Sequence, residues 1–163
     1  MSNQPNEKFI APLSEMEDII RESVSNGGEF RMITAGISML PLLRNRRDTV
    51  VLVKAPIPLK KYDIPLYKRK DGHFVLHRVI EKNNGSYVMC GDNQISKEYG
   101  ITDDDIIAVV SKIVRNGKTI DLKSSFCYKI YVFFYCTLFP LRCFFLRGIS
   151  FVNRRFFKNK NKK

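Results

Sequence analysis

Asp71-Gly72-His73-Phe74-Val75-Leu76-His77-Arg78-Val79-Ile80-Glu81-Lys82-Asn83-Asn84-Gly85-Ser86-Tyr87-Val88-Met89-Cys90 decides the fold class. Short apolar, β-branched runs alternate here with Asp71-Gly72 and Asn83-Asn84-Gly85, turn signals that join antiparallel strands. Asn116-Gly117 repeats the signal downstream. Upstream, residues 30–34 and Thr49-Val50-Val51-Leu52-Val53 have the same strand character, and Pro56 and Pro58 mark a loop before residues 63–67. Pro65 lacks an N–H for a ladder, which puts its strand at an edge or at a bulge. One helix precedes the strands: Leu13, Met16, Ile20 and Val24 recur at helical spacing, Ser14-x-x-Glu17 reads as a capping box, and Asn26-Gly27-Gly28 ends it. The helix is expected from Glu15 to about Ser25. The fold expected is therefore mostly β, a small barrel or coiled antiparallel sheet after one short helix. His77 falls in the second strand of a hairpin, on the face shared by Val75 and Val79.

Charge is distributed unevenly. The 163 residues carry a net charge of +12, yet residues 1–121 hold all 16 acids against 18 Lys/Arg, while residues 122–163 hold ten Lys/Arg and no acid. The excess belongs to the tail, so a nucleic-acid-binding core loses its main support and no nucleic acid is expected as a partner. Residues 1–12 are polar with two prolines and read as a flexible arm, residues 13–121 as the folded domain. Cys127, Cys136 and Cys143 lack zinc-ligand spacing and an accompanying histidine, and read as small hydrophobes or lipid-modified thiols. Cys90 is expected to be buried. No signal peptide is read in residues 1–32, which carry charges throughout.

Gly36-Ile37-Ser38-Met39-Leu40-Pro41 sets a serine beside a turn-forming glycine, and His77-Arg78-Val79 begins 39 residues after Ser38. A serine hydroxyl is a poor nucleophile near neutral pH and needs a neighbour to take its proton. An imidazole titrates in the right range to do so. Lys54 and Lys68 are alternative bases if buried, and His73, just after a turn, is expected to face water. Gly91-Asp92-Asn93, followed by Glu98, adds carboxylates that can orient a histidine.

These segments, with Asp48-Thr49-Val50 and Lys61-Tyr62-Asp63-Ile64, resemble in order the type I signal peptidases and their serine-peptidase clan, over about residues 33–114. Where bacterial members carry lysine, this chain has His77, as in the endoplasmic-reticulum and archaeal branch. The resemblance implies the mostly β fold of that clan. It also implies a serine endopeptidase with Ser38 as nucleophile, His77 as base and no metal or organic cofactor. Either Glu98, six residues past Asp92, or Asp92 itself would hold the second ring nitrogen; Glu98 is taken as the orienter and Asp92 as its support. Three positions depart from the family. Arg47 replaces a glycine, Lys97 replaces an acid, and Gly36 stands where some members place a hydroxyl, leaving backbone amides such as that of Ser38 to form the oxyanion hole. Arg78 bridges to a carboxylate or is a solvated strand charge, and Met39 and Leu40 pack or line the cleft.

Residues 122–163 contain 12 of the 19 aromatic residues and read as a membrane-associating tail. The longest uncharged run, residues 130–141, is short of the roughly 20 apolar residues that span a bilayer. An interfacial helix held against anionic lipid fits the aromatic and basic pattern; a tilted span over residues 127–146 with Lys129 snorkelling is the alternative. The resulting expectation is a membrane-associated peptidase that cleaves an extended segment of an exported precursor, bound by strand addition. Two rivals are a non-catalytic peptide-binding module on the same fold and a self-cleaving repressor. The repressor would need a DNA-binding domain that 35 residues before Gly36 are too few to build.

Overall fold

The structure, a computed structural model, describes residues 13–138. It is mostly β, an antiparallel sheet curled into a half-barrel with two helices. The chain order is α1 (Leu13–Ser25), β1 (Phe30–Ile33), β2 (Thr49–Val53), β3 (Pro65–Lys68), β4 (Phe74–Leu76), β5 (Arg78–Asn83), β6 (Ser86–Cys90), β7 (Glu98–Ile101), β8 (Ile106–Arg115), β9 (Lys118–Asp121) and α2 (Phe126–Thr137). The larger sheet runs β1-β2-β8-β3-β4, with β9 also paired to β8; the smaller runs β5-β6-β7. The expected arm, residues 1–12, lies outside the described residues.

β8 organises the larger sheet. Its first five residues are all buried, because both of its faces are covered. Ile107, Ala108, Val110 and Ile113 join Ile20, Val24, Val50, Leu52 and Leu66 in the core under α1. Ile106 and Val109 face a second cluster with Tyr67, Val79, Tyr87 and Met89. Register shifts at Val51/Leu52 and Leu66/Tyr67 mark bulges that bend β2 and β3 against β8.

Local signals hold in most places. Asn116 and Gly117 both have positive φ and close the tight β8–β9 hairpin, and Asn84-Gly85 joins β5 to β6. Two details differ from expectation, and a third decides between alternatives. Helix α1 begins at Leu13, and the Glu17 carboxylate accepts from Arg21 (3.0 Å) and Lys68 (2.8 Å). Of the two places expected for Pro65 the structure shows the bulge: β3 lies between β8 and β4, and Pro65 opens it just before the register shift at Leu66/Tyr67. His77 is not inside a hairpin strand but is the residue between β4 and β5, where the chain crosses from the larger sheet to the smaller.

The loop between β1 and β2 carries Ser38 and is closed by Asp48. Thr34 N donates to Asp48 O (3.2 Å) and Arg46 N to Thr34 O (2.7 Å). The fully buried Asp48 carboxylate accepts from Arg44 N (2.8 Å), Arg44 Nε (3.3 Å) and Arg115 Nε (3.1 Å). Burial raises its pKa, but the hydrogen bonds and charges of Arg115 and Arg44 outweigh this and hold it below the ordinary aspartate value. Asp48→Ala should therefore lower stability by about 2–3 kcal/mol, read from urea denaturation. Because the folded pKa is lowered, the deficit should be full above about pH 4 and vanish as pH falls through that lowered value. A deficit independent of pH would refute this account of the clasp.

Candidate active site

Ser38 lies in a turn in which Leu40 N donates to Ile37 O (3.2 Å) and Leu43 N to Met39 O (2.8 Å). Gly36, at φ 101°, takes the left-handed backbone that starts the turn, and its amide is held by Asn45 Oδ1 (2.9 Å). Met39 is buried in the core and anchors the turn. Among the described residues no hydrogen bond takes the Ser38 amide. Ser38 and His77 line one cavity of about 380 Å³, with the end of β1 on one side and Phe74, Val75 and Leu76 of β4 on the other. No hydrogen bond joins the Ser38 and His77 side chains.

His77 is 2 % exposed. Its Nδ1 lies 3.0 Å from Glu98 Oε1 and 3.2 Å from the Tyr67 hydroxyl. Tyr67 donates to Glu98 Oε2 (2.9 Å), so its oxygen is left to accept. This network places the proton on Nδ1 and leaves Nε2 as the acceptor. Glu98 reaches the ring because β7 pairs with β6, Glu98 standing opposite Met89. Arg69 also grips Glu98, through Nε (2.8 Å) and through its terminal nitrogen. Burial raises the Glu98 pKa, but hydrogen bonds from Arg69 and Tyr67 and the nearby imidazole hold it below the ordinary carboxylate value. Burial lowers the His77 pKa below its usual value; Glu98 opposes this, and Arg69 adds to it. The imidazole is therefore neutral at pH 7.

Asp92 is placed elsewhere. It forms a bidentate, fully enclosed pair with Arg78, at 2.8 Å from Nε and 2.6 Å from the terminal nitrogen, and no hydrogen bond joins it to His77, on which it acts only through its charge. Arg78 also donates to Tyr62 O (3.1 Å) and to the Tyr128 hydroxyl (2.9 Å). Tyr131 donates to the Asp92 carboxylate (3.1 Å), and Tyr135 to the carbonyls of Asp92 and Leu40. The next residue ties this cluster to the serine turn: Asn93 N donates to Ser38 O (2.6 Å) and Asn93 Nδ2 to Ile37 O (3.2 Å). The approach is close enough that a Cβ on Gly91 would lie 2.7 Å from Ser38 O.

Lys54 and Lys68 do not line the Ser38 cavity, and Lys68 is engaged by Glu17. His73 is exposed beside Asp71. Lys97 pairs with Glu81 (2.6 Å). Among the described residues no group of three side chains is placed to hold a metal ion. Sequence reasoning missed Tyr67 and Arg69, which sit on and just after β3 and carry no local signature. The helical spacing of Tyr128, Tyr131 and Tyr135 was a readable signal for one shared face.

An NMR titration of the two histidines tests this arrangement. His77 should titrate below about 6.5, Arg69→Gln should raise its pKa by removing a nearby cation, and Glu98→Gln should lower it further. By the same sign, the unfolded chain binds this proton more readily, so His77 should cost stability as pH falls below about 6.5. An unshifted His77, or shifts of the same sign in the two variants, would refute the network. No family model, no curated protein and no solved structure matches the chain.

Proposed function

We propose that the protein is a membrane-associated serine endopeptidase of the signal peptidase type, cleaving signal or leader peptides of exported polypeptides. The observation that carries the reading is the Glu98-bound, buried His77 on the wall of the cavity that Ser38 also lines. In this reading Ser38 Oγ attacks the scissile carbonyl while His77 Nε2 takes its proton. The imidazolium that forms is stabilised by Glu98, and the proton passes to the leaving amine. The developing oxyanion is met by the Ser38 amide. Water then hydrolyses the acyl-enzyme with His77 again as base. Asp92 acts through Arg78 as scaffold for the Ser38 turn, not as a partner of the imidazole.

Substrate enters as an extended strand. β1 and β4 are the two ends of the larger sheet's strand path, and both border the cavity. Membrane association is supported by α2, whose outward side chains Phe126, Ile130, Phe133 and Phe134 are 40–74 % exposed. Among the described residues no helix is long and apolar enough to cross a membrane. The missing hydrogen bond between Ser38 and His77 favours a second reading, a peptide-binding module without turnover; in peptidases this contact also tightens when substrate binds.

Cleavage of exported-protein precursors in detergent micelles separates the two. Ser38→Ala and His77→Ala should each lower turnover by about 10³-fold or more, and Glu98→Gln by about 10²–10⁴-fold, with folding retained. Precursor that is bound but never cut by the intact chain would establish the binding module instead.

A further inference from the structure

A second cavity, of about 690 Å³, lies between α2 and the larger sheet and shares no lining residue with the Ser38–His77 cavity. Its volume falls in the range that holds a small ligand, about 300–1,000 Å³. Val53 of β2, Val109 and Val110 of β8, Leu122, and Val132 and Phe133 of α2 form an apolar wall. The polar groups in that wall are already engaged: Ser111 Oγ donates to Val51 O (3.1 Å), and the Asp63 carboxylate, the one acid in the lining, accepts from Lys60 N (2.8 Å). Four exposed lysines, Lys54, Lys61, Lys123 and Lys129, surround this wall, and none of them forms a salt bridge among the described residues.

We propose that this cavity binds one acyl chain of an anionic lipid, with the lysines meeting its phosphate. An apolar body and a negative head match an apolar wall with a basic mouth. The chain's own segment 139–163 is a poor occupant, because it carries eight Lys/Arg and no acid and would face like charge. Phe133 joins the cavity to the outside: it lines the wall yet is 64 % exposed, beside Phe126, Phe134 and Ile130 on the apolar face of α2. A helix lying in the interface would bring the mouth to headgroup depth. The inference rests on the membrane half of the function proposed above and is independent of the peptide chemistry.

The test is native mass spectrometry and calorimetry of the full chain with lysophosphatidylglycerol below its micellar concentration. Cosedimentation with phosphatidylglycerol–phosphatidylcholine vesicles accompanies it. The site predicts one lipid bound per chain, with lysophosphatidylcholine at least tenfold weaker. The double variant Lys54→Glu, Lys123→Glu should weaken lysophosphatidylglycerol at least tenfold, and Val132→Trp should remove binding by filling the cavity. Ser38→Ala should bind as the intact chain does. The lysine variant changes only exposed side chains and decides the matter even if Val132→Trp unfolds α2. Vesicle binding without any lysophosphatidylglycerol bound would leave membrane association standing and overturn the cavity. Equal affinity for the two lysolipids, unaltered in the lysine variant, would overturn it in favour of adsorption on the exposed phenylalanines.

Discussion

The Arg78–Asp92 pair is the interaction on which the arrangement of this protein depends. Two charges 1 % and 2 % exposed are costly to bury, and their attraction offsets that cost only when the remaining donors and acceptors are satisfied as well. Here they are, by groups from several different segments. Arg78 opens β5, Asp92 lies just past β6, Tyr62 contributes a carbonyl, and α2 contributes Tyr128 and Tyr131. Each segment must be in place for the pair to be complete. Since Asn93 holds the Ser38 carbonyl and Tyr135 holds those of Asp92 and Leu40, the same pair fixes the serine turn. It acts as a registry device more than as a source of net stability.

His77 is governed by a competition that burial wins. Glu98 at 3.0 Å would by itself raise the imidazole pKa, but the carboxylate is shared with Arg69 and Tyr67, and Arg69 returns a positive charge to the site. The ring is thereby oriented by an acid without being held protonated. The proposed mechanism, in which the ring accepts a proton near neutral pH, calls for that combination. Arg69 acts on the ring through Glu98, while Tyr67 meets both Glu98 and the ring Nδ1 directly.

Helix α2 reverses the usual polarity of a surface helix. Its tyrosine hydroxyls turn inward because a buried charge pair needs donors and acceptors, and its phenylalanines are left outside. The inward face ties the helix to the serine turn, while the outward face leaves Phe126, Ile130, Phe133 and Phe134 exposed beside a lysine-rimmed cavity. One helix thus connects an exposed apolar surface with the loop that carries Ser38.

Local sequence determined the mostly β class, the position of α1 and the turns at Asn84-Gly85 and Asn116-Gly117. These depend on residue types at short spacing, where backbone sterics and periodicity act directly. Tertiary structure alone decided that His77 sits at the crossing between two sheets, because that depends on where β4 leaves one ladder and β5 joins another. It alone separated the two acids, as strand pairing sets Glu98 opposite Met89 and turns Asp92 toward Arg78. Tyr67 and Arg69 stayed hidden because they meet Glu98 across 31 and 29 residues of chain, through packing that no local pattern encodes. The aromatic and basic pattern of the segment that contains α2 suggested an interfacial helix with its aromatics turned to lipid. Which of its rings face inward was decided by the buried charges they had to satisfy.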